Sequence, residues 1–320
     1  MNINYFKSSR EVKWCPGCGN YAILKSMQKT LFFLGVKSEK IVFVSGIGCS
    51  GRFPYYINTH GFHTLHGRAP AVATGLRLMR SDLIVWIVIG DGDGFSIGLN
   101  HILHLVRRNI NVNVLFINNK IYALTKGQYS PTSDRGSITK SSPHGSIEES
   151  INPLLMILSA GCSFVARTVD NDSKNFSSII IEAMKHNGTS FIEVLQNCNI
   201  FNDGIYSNIS NINKENDKLL YLNDKQFLYF GKNNNYCLVI SDNLRFKIVS
   251  SVLSKDYIIP RHDITTENVL QLMLSKLSYN KSPFPLGIFR CVKKNTYEDN
   301  FNNAYILKSK KINKFSDLFL

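Results

Sequence analysis

The sequence lacks any apolar run long enough to cross a membrane. Its longest, LIVWIVIG at 83–90, is strand-sized and is followed at once by Asp91 and Asp93. The opening MNINYFKSSR has no apolar stretch of the secretory kind, so the expected location is the cytoplasm, where thiols stay reduced. Acid is scarce too: 23 Asp and Glu stand against 37 Lys and Arg, a formal net charge of +14. Such an excess points to a polyanionic partner or to plain composition. Stretches rich in Asn, Lys and Ile, such as NISNINKENDK at 208–218, favour composition. No basic run is interleaved with aromatics, which argues against nucleic acid. No internal repeat is visible.

What is present is a chain of 320 residues, 44% hydrophobic, enough for one large domain or a domain plus an extension. Residues 41–46, 83–90, 112–118 and 190–195 are strand-like and almost continuously apolar. Between them, 20–34, 69–80, 97–109 and 173–187 read as helices, with Pro70 suited to a first turn. That alternation predicts an α/β fold, a doubly wound and mostly parallel sheet covered on both faces. Ligand-binding loops of such sheets sit at the carboxyl ends of strands. Three of these runs end in GIGCSGR, GDGDG and NKIYALTKGQ, and the fourth ends near Cys198. The Ser-, Gly- and Pro-rich segment 125–150 is too long for a simple connection and is expected to be a functional loop. Beyond about residue 205 the pattern weakens. The expected division is 1–204 as the ligand-binding domain and 205–320 as a smaller C-terminal α/β extension.

Two motifs carry chemistry. A glycine turn at a strand end, GDGDG at 90–94, lets backbone amides approach a phosphate, and an aspartate there can hold a hard cation. Asp91, Asn119 and the carbonyl of Ile121 could supply oxygen ligands to Mg2+ on a diphosphate. Alone, GDG is a tight turn and Asn118–Asn119 a polar loop; together, each after an apolar strand, they favour the diphosphate site. Cys15 and Cys18 in WCPGCGN sit two apart on a turn, a spacing open to zinc, a redox dithiol or an iron–sulfur cluster. Among seven cysteines, Cys162, Cys237 and Cys291 lie in or beside apolar sequence and read as core thiols. His101 and His104, three apart on a helix with no carboxylate beside them, read as a helix face rather than a metal pair.

GDG followed some 25–30 residues later by NN resembles the signature of thiamine-diphosphate enzymes. WCPGCGNYAI, SGIGCSGRFPYYINTHGFHTLHGRAPAVATGLRL, GDGDGFSIGLNHILHLVRRN and NNKIYALTKGQYSPTS resemble the β subunit of 2-oxoacid:ferredoxin oxidoreductases, and within it the 2-oxoglutarate branch. The similarity runs from about residue 10 to about 205. It implies thiamine diphosphate, Mg2+, one [4Fe–4S] cluster on Cys15, Cys18, Cys49 and Cys198, and coenzyme A as co-substrate. Cofactor contacts are implied for Ile47, Gly48, Cys49, Ser50, Gly92, Asp93, Ala123 and Leu124. His66 is either a further contact or a structural histidine. Leu124 and Lys126 are implied at the substrate; pyruvate enzymes of the broader family tend to have glycine where Lys126 stands, and a lysine there could pair with the distal carboxylate of 2-oxoglutarate. The implied reaction is oxidative decarboxylation to an acyl-CoA, succinyl-CoA from 2-oxoglutarate, with electrons passed to ferredoxin. The glutamate that assists the cofactor belongs to a second thiamine-binding domain, for which this chain has no room. No catalytic proton-transfer residue is therefore expected here. An α subunit is, in a heterodimer or a dimer of heterodimers, with no nucleic acid and no membrane. Three alternatives stay open: a cluster-free thiamine-dependent decarboxylase, pyruvate as main substrate, and, least favoured, a zinc-stabilised nucleic-acid binder.

Overall fold

The computed structural model describes residues 4–210, 218–241, 243–280 and 283–309. Among the described residues eleven strands run in chain order: β1 (Ile41–Ser45), β2 (His60–His63), β3 (Ile84–Gly90), β4 (Asn113–Asn118), β5 (Phe164–Val169), β6 (Ser190–Leu195), β7 (Leu219–Leu222), β8 (Tyr229–Phe230), β9 (Tyr236–Ile240), β10 (Phe246–Ser250) and β11 (Phe284–Cys291). Eight of them form one sheet in the order β2-β1-β3-β4-β6-β5-β11-β7, and β8 to β10 form a small antiparallel sheet. Every pairing in the large sheet is parallel except β5 with β11. The expected mostly parallel α/β sheet is present.

The central strands are apolar on both faces because both faces are covered. In β3, Val85, Ile87 and Ile89 join one core with the helices Ala69–Met79 and Leu99–Arg108. Trp86 and Val88 point the other way, into a core shared with the helices Asn20–Phe33 and Ser173–Lys185. Each such buried side chain contributes roughly 1.5–3 kcal/mol relative to exposure. The helices follow local signals. Ile23, Met27 and Leu31 recur at i, i+4 on the buried stripe of the first. Pro70 sits in the first turn of Ala69–Met79. Asp172 caps Ser173–Lys185 through a 3.0 Å bond from the Asn175 amide. The helix Leu99–Arg108 ends at a left-handed Asn109.

The stretch 205–320 does more than extend the chain. Its β11 and β7 complete the large sheet beyond β5, so residue 204 falls within the polypeptide that builds one sheet. No helix among the described residues is long and apolar enough to cross a membrane.

Candidate functional site

The carboxyl ends of β1, β3, β4 and β6 lie along one sheet edge, and the loops that leave them meet there. A cleft at that edge is lined by Ile47, Gly48, Cys49 and Ser50 from the first loop, Asp91, Gly92 and Asp93 from the second, and Asn119, Ile121, Ala123 and Leu124 from the third. All eleven were singled out as cofactor or Mg2+ residues, and all come from three short motifs. Lys126 is exposed and His66 lies outside the lining.

Close packing explains the glycines. A Cβ on Gly46 would fall 1.5 Å from an Asp93 carboxylate oxygen, and one on Gly92 would strike the Tyr122 ring at 2.3 Å. Asp93 spends its carboxylate on the protein. Oδ1 accepts from the Gly67 amide and from His66 Nδ1, both at 2.7 Å, and Oδ2 from the Ile47 amide at 3.3 Å. It thereby ties together the loops after β1, β2 and β3. His66 acts through Asp93, which favours the structural reading of that histidine.

Asp91 is fully buried, and burial pushes its carboxyl up while hydroxyl and amide donors pull it back. Its Oδ2 accepts from Ser130 Oγ at 2.5 Å and from Thr132 Oγ1 at 2.8 Å. Both donors come from the long 125–150 segment, which packs beneath the site. Asn119 Oδ1 accepts from the Ile121 amide at 3.2 Å, and its Nδ2 donates to Gln196 at 3.0 Å. The Tyr122 hydroxyl donates to the Gly92 carbonyl at 2.6 Å, fixing the third loop on the second. Asn20 Oδ1 is buried without a hydrogen-bond partner and opens onto the same cleft. An orphaned acceptor and a carboxylate held only by hydroxyls and amides both fit a polar, cation-carrying ligand. Ser130, Thr132, Tyr122 and Asn20 were not identified from sequence. Asn20 closes the WCPGCGN motif, which was the one available hint.

Cys15, Cys49 and Cys198 all lie near enough to Cys18 to act on its thiol. The thiols of Cys18 and Cys49 are pushed up, chiefly by burial and then by the neighbouring cysteines, Cys18 to about 12. Side chains dock the three segments: Trp14 Nε1 donates to the Cys49 carbonyl at 2.7 Å, and Asn199 Nδ2 to the Pro16 carbonyl at 2.6 Å. Gly17, at φ +81°, shapes the turn between Cys15 and Cys18. As they stand, no three His, Cys, Asp or Glu side chains among the described residues form a ready metal cage. Cys162 and Cys237 are buried away from the cleft, and Cys291 is half-buried. His101 Nε2 meets Arg68 Nη1 at 2.8 Å, so that imidazole is engaged by its own helix neighbourhood.

Residues 46–194 match the thiamine pyrophosphate enzyme C-terminal TPP-binding domain. Over 297 residues the chain is 46% identical to the 2-oxoglutarate oxidoreductase subunit KorB of Mycobacterium tuberculosis, covering 92% of this chain and 79% of that one. It is 46% identical over 192 residues to a 2-oxoacid:ferredoxin oxidoreductase subunit beta from Sulfolobus, covering 59% of this chain and 63% of that one. Among solved structures, the 2-oxoglutarate:ferredoxin oxidoreductase from Magnetococcus marinus, with 2-oxoglutarate, coenzyme A and succinyl-CoA bound, superposes with a TM-score of 0.79 at 30% identity, covering 100% of this chain and 94% of that one. With glycine turns, buried carboxylate and paired asparagines assembled at one sheet edge, the chain belongs to the β-subunit family of the 2-oxoacid:ferredoxin oxidoreductases.

Proposed function

We propose that this chain is the cofactor-holding subunit of an enzyme that oxidatively decarboxylates 2-oxoglutarate to succinyl-CoA and passes the electrons to a ferredoxin. The observation that carries the reading is the convergence of GIGCS, GDGD and NNKIYAL on one cleft over the buried Asp91. Asp91, Asn119 and the Ile121 carbonyl would hold Mg2+, whose charge offsets the cost of the buried carboxylate. Ile47 to Ser50, Gly92, Asp93, Ala123 and Leu124 would seat thiamine diphosphate. Bound there, that cofactor supplies the electron sink for loss of carbon dioxide from a 2-oxoacid.

The chain's own residues bind and orient. Glycine backbone reaches the diphosphate, Asp93 fixes the loops around it, and Leu124 with Lys126 sets the substrate end. Cys15, Cys18, Cys49 and Cys198 would hold a [4Fe–4S] cluster as thiolates, the charge of the iron offsetting the burial that pushes the Cys18 and Cys49 thiols up. The enclosed cleft is only about 50 Å3, far under the roughly 300–1,000 Å3 of a small-molecule site. Walls from an α subunit, which would also bring the proton-transfer residue, account for the difference. The compartment that suits reduced cysteines and ferredoxin is the cytoplasm.

The test uses the chain purified without oxygen together with its partner subunit. A viologen dye should be reduced only with CoA and a 2-oxoacid, and 2-oxoglutarate should lead pyruvate. No CoA-dependent reduction with any 2-oxoacid overturns the reading. A cluster-free decarboxylase is the second reading. Iron and sulfide near zero in such preparations would select it.

A further inference from the structure

Two opposite charges are buried on neighbouring strands of the sheet. Glu193 lies within β6 and Arg167 within β5, and the parallel register sets them side by side. They are 1% and 4% exposed. Arg167 Nε donates to Glu193 Oε2 at 2.6 Å, and the guanidinium lies over the Phe284 ring, 4.7 Å from its centre. Taking two charges out of water is costly, and apolar residues of similar volume serve stability as well or better. Stability alone therefore does not account for the pair.

What the pair touches does. Glu193 Oε1 accepts from Asn118 Nδ2 at 2.8 Å. An ionised carboxylate can only accept, so this bond fixes which way the Asn118 amide faces. Its Oδ1 then points at the Lys120 amide, 3.3 Å away, and at Thr132 Oγ1, 3.0 Å away. The first contact closes a turn over Asn119 in which Lys120 takes a left-handed φ of 57°. A non-glycine residue in that region persists only where its surroundings over-determine it. The second contact reaches Thr132, whose hydroxyl also faces Asp91 Oδ2. A flipped amide would set donor against donor at Lys120 and release the turn. Arg167 Nη1 is buried without a partner and, with Asn118, Thr132 and Tyr279, lines a cavity of about 170 Å3 distinct from the cofactor cleft. The volume leaves room for water beside the guanidinium.

We propose that the buried Arg167–Glu193 pair is a positioning device for the metal–diphosphate site: it orients the Asn118 amide, which sets the turn carrying Asn119 and Ile121 and braces Thr132 against Asp91. The inference rests on the reading of that cleft as the Mg2+–thiamine diphosphate site. Neither residue touches the cofactor; both act through Asn118.

The experiment titrates Mg2+ at fixed thiamine diphosphate into the cofactor-stripped complex of this chain with its partner subunit. Binding is followed by calorimetry and activity in parallel. Glu193→Gln keeps the shape but strands a buried Arg167, so it is paired with the double variant Glu193→Leu, Arg167→Met, which leaves no charge unpaired. The Mg2+ needed for half-saturation should rise about 10–100-fold in either variant. kcat should return to the wild-type level once Mg2+ saturates. Arg167→Lys, which keeps the charge, should stay near wild type. A folded double variant with an unchanged Mg2+ requirement overturns the inference, as does a kcat that stays low at saturating Mg2+, which would mark a general loss of structure. Asp91→Ala separates the layers. If it also leaves Mg2+ and cofactor binding unchanged, the site reading is what fails; if it abolishes binding while the double variant does not shift it, the positioning role alone fails.

Discussion

Lys126 combines an unusual backbone conformation with the proposed substrate-end position. Its φ is +78°, immediately before Gly127 at +92°. A side chain there costs on the order of 1 kcal/mol that glycine would not incur. Lys126 is exposed, and on the proposed substrate reading its ammonium would meet the distal carboxylate of a five-carbon 2-oxoacid. Lys126→Gly should leave melting temperature unchanged or slightly higher while lowering kcat/KM for 2-oxoglutarate more than for pyruvate. Equal losses on the two substrates, measured by CoA-dependent dye reduction, would remove the specificity role. Legibility at this scale was uneven. Asp91, Gly92 and Asn119 could be read because glycine, aspartate and asparagine at strand ends carry their chemistry in their identity. Ser130, Thr132 and Tyr122 could not, because a hydroxyl becomes a site residue only when folding brings it beneath Asp91 or Gly92.

Among the strands, the most continuously apolar were readable, and several others were not. β1, β3, β4 and β6 announce themselves as nearly continuous apolar runs, β6 in spite of Glu193. β2 is an edge strand whose four residues, HGFH, are all exposed, so no pattern marks it. β5 reads FVARTV, and Arg167 in its middle disguises a fully buried strand. β11 carries Pro285 and Gly287, which sequence reasoning treats as breakers. The end of the helix Ser173–Lys185 offers a measurable consequence. There His186 hydrogen-bonds Ser163 Oγ at 2.8 Å, and burial pulls its imidazole down from 6.5 to about 4. The folded state thus binds this proton more weakly than the unfolded chain does. Between about pH 6.5 and 4 the unfolded state carries the extra proton, so stability falls as pH drops through that window and is constant above it. His186→Gln should flatten that part of the melting temperature–pH curve relative to wild type. A curve of unchanged slope between pH 6.5 and 4 would assign the acid sensitivity elsewhere.

For the whole molecule, the recognisable motifs and the architecture divide the chain differently. The motifs end near residue 205, which makes 1–204 look self-contained, yet the large sheet does not end there. β11 is the antiparallel neighbour of β5 and delivers Phe284, Leu286 and Phe289 to the interior. Phe284 also covers the Arg167 guanidinium, so the C-terminal part shields one of the two buried charges behind the Asn118 turn. A fragment ending at 204 would bare the hydrogen-bonding edge of β5 and expose Arg167 and the apolar surface of Val165 and Val169. It should therefore aggregate or melt without a cooperative transition, and it should bind Mg2+–thiamine diphosphate no better than Asp91→Ala does. Supplying residues 205–320 as a separate chain during expression should restore both solubility and binding, because what is missing is a neighbouring strand and a cover for Arg167. A monomeric 1–204 fragment with a sharp thermal transition and full cofactor affinity would show instead that the boundary drawn from sequence is a folding boundary, and that β11 and β7 were added to a sheet already complete.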